Sequence, residues 1–189
     1  MKCAFLDRDG VINFDYGYVG TWERFDFIPN VIEGIKLLQK LEYSVFVVTN
    51  QSGIARGYYT EEEFLALDRK MNLYLRERGV FVERTYYCPH HPTDAYPPFD
   101  IRCRCRKPKP GLIEQCMQEY AVDLSSSILI GDKISDYCAG VAAGIGRVFL
   151  VESRYLQDTI VDLLRPKIFR DVLEIAESIA QNSTFGGRH

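Results

Sequence analysis

Residues 2–11 read KCAFLDRDGV, and this stretch decides the fold of the 189-residue chain. A short apolar run ending at Leu6 is typical of a buried β-strand, and the polar residues 7–10 follow it directly. Alternation along an extended chain points side chains two positions apart to the same side, so the carboxylates of Asp7 and Asp9 should share one side. The sequence therefore predicts a polar site just beyond the first strand.

Strand patterns alternate with amphipathic helix patterns along the rest of the chain. Strands are predicted at residues 2–6, 45–48, 85–88, 127–130 and 147–151, and helices at about 30–42, from the N-cap Thr60 onward, 111–120, 137–143 and 168–180. This alternation predicts an α/β fold, a Rossmann-like doubly wound parallel sheet. We expect one domain over residues 1–182 and a flexible tail at 183–189.

Composition excludes several classes of protein. Hydrophobic residues make up 47% of the chain and charged residues 26%, as in globular proteins. The net charge of −3 and the lack of a basic stripe argue against a nucleic-acid binder. The longest stretch without a charged residue, Tyr43 to Ala55, is too short to span a membrane, and acids interrupt the only early apolar run. We therefore expect a cytoplasmic protein without a membrane partner.

Polar residues also follow the second and fourth predicted strands. Thr49 begins one such group, and Asp132 and Asp136 belong to the other. Ligands of doubly wound sheets bind beyond the carboxyl ends of the strands, where these groups should meet Asp7 and Asp9. The negative charge of several carboxylates at one edge needs compensation, and a hard cation such as Mg²⁺ can supply it. Lys107 or Lys133 could neutralise the charge of a transferring phosphoryl group. The set predicts phosphoryl transfer through an aspartyl phosphate.

These motifs resemble those of the haloacid dehalogenase-like phosphatases, in the order of that family: Asp7-Arg8-Asp9-Gly10-Val11, Thr49, Lys107 and Gly131-Asp132 with Asp136. The resemblance implies the strand order 3-2-1-4-5. It also implies that Asp7 attacks phosphorus, and that Asp9 protonates the leaving alcohol and then activates water. Short inserts after the first two strands leave no room for a cap domain.

The same resemblance implies the remaining roles at the reacting phosphate. Mg²⁺ would lie between the Asp7 carboxylate, the Asp9 backbone carbonyl and Asp132. The phosphoryl oxygens would be held by Thr49, Asn50 and Lys107. Asp136 is expected to orient Lys133 or a metal-bound water rather than to bind the metal.

A second metal site is predicted in the long loop of residues 88–106. Cys88, His90, Cys103 and Cys105 form a Cys₃His set in two close pairs, which is the arrangement of a closed structural zinc site. His91 could replace His90, and free thiols in a mobile loop are the other interpretation. Cys3, Cys116 and Cys138 are expected to be small core residues.

This loop resembles the capless, zinc-containing branch of the family, which holds the D-glycero-D-manno-heptose 1,7-bisphosphate 7-phosphatases and the histidinol-phosphate phosphatases. The form of residues 49–57 and the long segment between the zinc-ligand pairs favour the heptose enzymes, which act in ADP- or GDP-heptose (lipopolysaccharide core) biosynthesis. The substrate-binding residues implied are Asp15, Tyr16, Gly17, Tyr18, Asn50, Gln51, Ser52, Arg56, Arg106 and Lys133.

Other functions stay open on the sequence alone. Histidinol-phosphate phosphatase would share all the chemistry and differ only in the pocket. A zinc-stabilised binding module or a phospho-accepting receiver domain would not need Asp9 as acid and base. A dinucleotide enzyme is disfavoured because Gly144-Ile145-Gly146 precedes a strand instead of following one. The expected partner is a small sugar bisphosphate, and the modest size favours a monomer.

Overall fold

A computed structural model describes residues 1–156 and 166–185 of the chain, with side chains through residue 182. Its strands are β1 (Cys3–Leu6), β2 (Ser44–Asn50), β3 (Val82–Cys88), β4 (Ile128–Gly131), β5 (Arg147–Val151) and β6 (Ile168–Phe169). Its helices are α1 (Val31–Lys40), α2 (Ser52–Ala55), α3 (Glu61–Arg76), α4 (Gly111–Glu119), α5 (Ile134–Ala143) and α6 (Val172–Phe185), with a 3₁₀ turn at Trp22–Arg24.

The strands form one parallel sheet in the order β3-β2-β1-β4-β5-β6. This order confirms the predicted 3-2-1-4-5 arrangement and adds a sixth strand at the β5 edge. The described segments after β1 and β2 contain no cap domain, as predicted. From β1, the order of the strands runs in one direction through β2 and β3 and in the other through β4 to β6. Ligands of such sheets bind beyond the carboxyl ends of the strands at this reversal, which is where the residues after β1 lie.

Both faces of the sheet are covered, so its strands are apolar on both sides. Ala4 and Leu6 of β1 pack into a large core together with side chains of α1, α3 and α6. Phe5, on the opposite face, packs with Phe46 and with apolar side chains of α4. Cys3 and Cys116 belong to this second core as predicted, whereas Cys138 is only half-buried.

The helices begin and end where local chemistry favours it. Thr60 and Glu63 form a reciprocal capping box at the start of α3, which confirms the predicted N-cap. At the other end of the chain the prediction was wrong, because Ile168 and Phe169 pair with β5 rather than opening the final helix. Asp171 accepts a hydrogen bond from the backbone N–H of Glu174, in the first turn of α6, and the helix begins at Val172.

The remaining boundary differences are smaller. α5 begins at Ile134, three residues before its predicted start, and α2 was not predicted. α6 extends to Phe185, into the segment predicted as a tail, and residues 186–189 lie outside the described part of the chain.

Candidate active site

The predicted polar groups meet at the carboxyl edge of the sheet around a pocket of about 330 Å³. Asp7 follows β1, Thr49 lies at the end of β2, and Asp132 follows β4. Predicted site residues that line the pocket are Asp7, Asp9, Asp15, Gly17, Tyr18, Thr49, Asn50, Ser52, Arg106, Lys107 and Lys133. Parallel strands force this convergence because all their carboxyl ends lie at one edge.

Other predicted residues lie elsewhere, and the structure adds some to the lining. Tyr16, Gln51, Arg56 and Asp132 do not line this pocket. Gln51 is fully buried behind it, and Asp132 lines a neighbouring pocket. Gly53, Tyr59, Ser135 and Tyr155 line the pocket but were not predicted. Only Ser135 carried a usable signal, since it follows Asp132 in the motif after β4.

Lys107 is a buried lysine held by two carboxylates. Its Nζ lies 3.0 Å from Asp7 Oδ1 and 2.5 Å from Asp136 Oδ1, and it donates to the Val48 carbonyl at 2.8 Å. Burial alone would lower the pKa of Lys107, but Asp136 and Asp7 outweigh that effect and raise it. The ammonium is therefore kept charged beside Asp7.

Asp136 contacts Lys107 rather than the Lys133 ammonium, and its predicted alternative role toward a metal-bound water stays a prediction. Its Oδ2 accepts the backbone N–H of Lys133 at 3.0 Å, which fixes the first turn of α5, while its Oδ1 faces Lys107. The Lys133 ammonium instead lies 3.0 Å from Asp15 Oδ2 and 3.7 Å from Asp132 Oδ1. Asp136 therefore orients Lys107, and it contacts Lys133 only through the backbone.

A cation fits beside these residues. Carboxylate oxygens of Asp7, Asp132 and Asp136 lie within 4.8 Å of one another, and all three residues are buried. Asp132 Oδ1 has no hydrogen-bond partner within the described residues, and burial with Asp7 and Asp136 nearby raises the pKa of Asp132 to about 8. A hard divalent ion with oxygen ligands would satisfy this oxygen and offset the excess charge.

Gly10 shapes the same corner of the site. Its φ of +91° lies in the left-handed region, and an added Cβ would lie 2.3 Å from Asp132 Oδ2. Only glycine allows the chain after β1 to turn here against the carboxylate without a clash. The Asp132 carboxylate is also held by a hydrogen bond from Ser153 Oγ at 3.2 Å.

Asp9 accepts hydrogen bonds on both carboxylate oxygens. Arg8 Nη2 donates to Oδ1 at 2.8 Å and to Oδ2 at 2.9 Å. Asn13 Nδ2 donates to Oδ1, and Gln51 Nε2 donates to Oδ2, each at 2.9 Å. Gln51 thus contacts Asp9 instead of the pocket, a position that sequence spacing did not predict.

Gln51 is in turn oriented by its neighbours. The Tyr59 hydroxyl donates to Gln51 Oε1 at 2.7 Å, so the amide nitrogen must point the other way. That nitrogen also donates to Thr49 Oγ1 at 2.9 Å, which leaves the Thr49 hydroxyl proton free to face the pocket. Thr49, Gln51 and Tyr59 are therefore connected by hydrogen bonds at this side of the site.

Asn50 joins β2 to the loop that carries Lys107. Its Oδ1 accepts the Lys107 backbone N–H and its Nδ2 donates to the Lys107 carbonyl, both at 3.1 Å. This pair of bonds fixes the backbone of Lys107 and so the point from which its side chain reaches Asp7.

The loop of residues 15–18 forms one wall of the pocket. Asp15 accepts the Gly17 N–H at 2.9 Å through Oδ1, which closes a tight turn. Tyr18 has a φ of +52°, and the Arg56 guanidinium lies 5.3 Å from the centre of its ring. Arg56 therefore supports the outside of this wall, and Tyr16 donates a hydrogen bond to Asp26 on its exposed side.

The loop after β3 brings the predicted Cys₃His set together. Cys88 Sγ lies 3.5 Å from Cys103 Sγ and 3.2 Å from Cys105 Sγ, and His90 Nδ1 lies 3.4 Å from Cys105 Sγ. Ligands about 2.3 Å from one zinc ion lie about 3.8 Å apart in a tetrahedron, so this set fits zinc with a slight expansion. The hydrogen bond that Cys105 shares with Cys88 lowers the pKa of Cys105 to about 5, as suits a thiolate ligand.

His91 turns away from this cluster. Its Nδ1 accepts the Asp94 backbone N–H at 3.1 Å, and its Nε2 lies 3.3 Å from Arg56 Nη2. The geometry thus favours His90 as the fourth ligand. Arg106 Nη1 donates to the His90 carbonyl at 3.1 Å, which links the cluster to the pocket lining.

Comparisons with known proteins agree with this geometry. A family model described as HAD-hydrolase-like matches residues 104–173. The chain is 46% identical over 153 residues to D-glycero-alpha-D-manno-heptose-1,7-bisphosphate 7-phosphatase of Photorhabdus laumondii, covering 81% of this chain and 84% of the relative. It is also 46% identical to D-glycero-beta-D-manno-heptose-1,7-bisphosphate 7-phosphatase of Yersinia pestis, covering 81% of each chain.

A solved structure extends the likeness to the whole fold. D,D-heptose 1,7-bisphosphate phosphatase from B. bronchiseptica, complexed with magnesium and phosphate, superposes with a TM-score of 0.82 at 30% identity, covering 96% of this chain and 99% of that one. None of the helices described here is long and apolar enough to cross a membrane. With identities of this size over four-fifths of its length, the chain belongs to the haloacid dehalogenase-like phosphatases, in the family of the heptose 1,7-bisphosphate 7-phosphatases.

Proposed function

We propose that this protein is a Mg²⁺-dependent phosphatase that removes the C7 phosphate of D-glycero-D-manno-heptose 1,7-bisphosphate through an aspartyl phosphate. The proposed product feeds ADP- or GDP-heptose biosynthesis for the lipopolysaccharide core. The observation that carries the proposal is the contact of Lys107 with Asp7 at the floor of the pocket, in a chain of this family. A carboxylate beside a fixed ammonium is suited to attack a phosphate whose charge the ammonium offsets.

In the first step, an oxygen of Asp7 forms a bond to phosphorus while the bond from phosphorus to the C7 oxygen breaks. Asp9 gives its proton to that leaving oxygen. In the second step, the Asp9 carboxylate takes a proton from water, the water oxygen attacks phosphorus, and inorganic phosphate leaves Asp7. Thr49 and Lys107 hold the phosphoryl oxygens throughout, since both line the pocket beside Asp7.

The proposed metal ligands are the Asp7 and Asp132 carboxylates and the Asp9 backbone carbonyl. When bound, Mg²⁺ supplies positive charge to the phosphoryl oxygens. Asp132 Oδ1 supports this assignment, because it accepts no hydrogen bond within the described residues and Lys133 Nζ, at 3.7 Å, is beyond hydrogen-bond distance.

We assign the sugar and its second phosphate to the outer part of the pocket. Asp15, Gly17, Tyr18 and Lys133 form one wall, and Arg106 supplies a cation near Lys107. We assign Asn50 and Ser52 to the phosphoryl side. Tyr16, Gln51 and Arg56 would act from behind the lining, by supporting the loop wall or Asp9.

The Cys₃His set is proposed to hold a structural Zn²⁺ that shapes the loop and aims Arg106 and Lys107. The hydrogen bond from Arg106 to the His90 carbonyl supports this link.

Thiolate ligands persist in a reducing compartment, so we also propose a cytoplasmic location. We also propose that the protein acts as a monomer, which the modest size of the chain favours.

The test is Mg²⁺-dependent phosphate release from three substrates: the α and β anomers of the heptose bisphosphate, and histidinol phosphate. We expect a preference for one heptose anomer, lost in Asp7→Asn. Preference for histidinol phosphate would overturn the substrate and keep the mechanism. No release from any of them by metal-loaded protein would favour a binding module.

A further inference from the structure

Arg8 lies between the two aspartates of the first motif and has no role in the steps above. It is 0% exposed and heads the largest fully buried side chains of the described residues. A buried guanidinium is costly unless it is well paired. Within the described part of the chain, its Nε and Nη1 have no hydrogen-bond partner, so Nη2 makes all the hydrogen bonds of the guanidinium.

The contacts of Nη2 join two parts of the site. This nitrogen donates to both oxygens of Asp9, at 2.8 and 2.9 Å, and to the Val19 carbonyl at 2.6 Å. Val19 directly follows the loop wall of residues 15–18. One nitrogen therefore ties Asp9 to the backbone that carries the proposed sugar wall.

Arg8 is also held rigidly. Its guanidinium lies 6.0 Å from the centre of the Phe25 ring and 5.6 Å from that of Phe64, and both rings are buried. Such packing favours a single position of the guanidinium. Since Arg8 neither reaches the surface nor lines the pocket, it can act on a substrate only through Asp9 or the loop.

We propose that Arg8 is a positioning residue that aims the Asp9 carboxyl group at the leaving oxygen and ties it to the loop wall through the Val19 carbonyl. The bonds from Arg8 Nη2 to both carboxylate oxygens restrict the rotation of the Asp9 side chain. Asn13 provides the second donor to Oδ1 and holds the same orientation. This inference rests on the proposed function, because it requires Asp9 to act as the acid.

The experiment compares leaving groups. An alkyl phosphate such as the heptose bisphosphate needs a proton on its leaving oxygen, whereas p-nitrophenyl phosphate releases a stable phenolate without one. The value of kcat/KM reports the steps up to cleavage of the ester bond. For Arg8→Met we expect kcat/KM to fall roughly 100-fold on the alkyl phosphate and less than about 5-fold on p-nitrophenyl phosphate. Arg8→Lys, which keeps the charge, should recover part of the selective loss.

A merely structural role predicts a different result. Misfolded or partly active protein lowers kcat/KM on both substrates by the same factor, and that uniform loss, or no loss, would overturn the proposal. Arg147→Met serves as the control, because it makes the same substitution at an exposed arginine. Within the described residues, the Nη2 of Arg147 donates a hydrogen bond to the Tyr43 hydroxyl and to no residue of the site. Circular dichroism and thermal melting establish that each variant is folded.

Should Arg8→Met not fold, Asn13→Ala carries the same test with a smaller selective loss, roughly 10-fold. The proposed function fails separately from this inference. If the wild-type protein hydrolyses a different alkyl phosphate, the proposed substrate is wrong, and the same ratio on that ester still tests Arg8. A wild type that hydrolyses only p-nitrophenyl phosphate would overturn both.

Discussion

Lys107 Nζ lies 3.0 Å from Asp7 Oδ1 in a buried environment, and the same ammonium lies 2.5 Å from Asp136 Oδ1. This relationship links a loop residue to the end of the central strand. It places a positive charge beside the proposed nucleophile before any substrate is bound, as electrostatic preorganisation requires.

The first prediction concerns this ammonium. Lys107→Met should lower kcat by at least roughly 100-fold, because a fixed cation on the phosphoryl group is lost. It should also destabilise the fold by about 3 kcal/mol, since two buried carboxylates lose their partner. Phosphate release and urea unfolding measure the two effects.

Lys109→Met is the matched control for that variant. Lys109 is an exposed lysine of the same loop, and its Nζ donates to the Cys103 carbonyl. We expect little change in kcat from the control. Full activity in Lys107→Met would rule out the role assigned to its ammonium.

A second prediction separates the two steps assigned to Asp9. With p-nitrophenyl phosphate, Asp9→Asn should release about one equivalent of nitrophenolate per enzyme in a burst and then stall. The first step needs little acid with this ester, but an amide cannot activate water for the second. Rapid-mixing absorbance measures the burst, and Asp7→Asn should show none. Continuous turnover by Asp9→Asn would show that another group is the base.

The third prediction concerns zinc. Metal analysis should find one Zn²⁺ per chain in the wild type, and Cys103→Ser should lose it, with a lower melting temperature and a raised KM. The reason is that the loop carrying Arg106 depends on the Cys₃His set. Cys138→Ser, outside that set, is the control. The idea fails if Cys103→Ser loses zinc yet keeps full activity and stability.

A fourth prediction concerns stability and pH. Asp171 accepts the Glu174 N–H at 3.0 Å and an Asn30 Nδ2–H at 3.1 Å. Burial alone would raise the pKa of Asp171, but these bonds outweigh it and hold the pKa below its ordinary value. A carboxylate with a lowered folded pKa stabilises the fold above the unfolded pKa, and that contribution is lost as the pH falls.

Asp171→Ala should therefore cost about 1 kcal/mol at pH 7, with the difference from wild type shrinking below about pH 4. Urea unfolding at both pH values measures the difference. Glu177→Ala, an exposed change on the same helix, should have little effect. A cost from Asp171→Ala that does not change with pH would show that its charge is not involved.

Much of the fold and site could be predicted from sequence because the signals are local. Apolar runs ending in Asp7, Thr49 and Asp132 predict strands with polar ends, and parallel topology alone requires those ends to meet. The capping box at Thr60 and the paired spacing of the cysteines in the Cys₃His set are likewise local patterns.

Other features depend on how distant side chains are oriented. Sequence placed Gln51 in the pocket and Asp136 beside Lys133, but the fold buries the first against Asp9 and turns the second toward Lys107. β6 is too short, at two residues, to show a strand pattern in the sequence. It is a strand only because it pairs with β5.

Sequence patterns therefore predict which residue types lie at the sheet edge and which two clusters could hold a metal ion, since strand periodicity and ligand spacing are properties of short segments. Only the tertiary structure decided which partner each side chain meets: His90 rather than His91 at the cysteines, and Arg8 buried on Asp9. Those choices follow from packing between segments far apart in sequence, where angstrom-scale position decides which hydrogen bonds and ion pairs form.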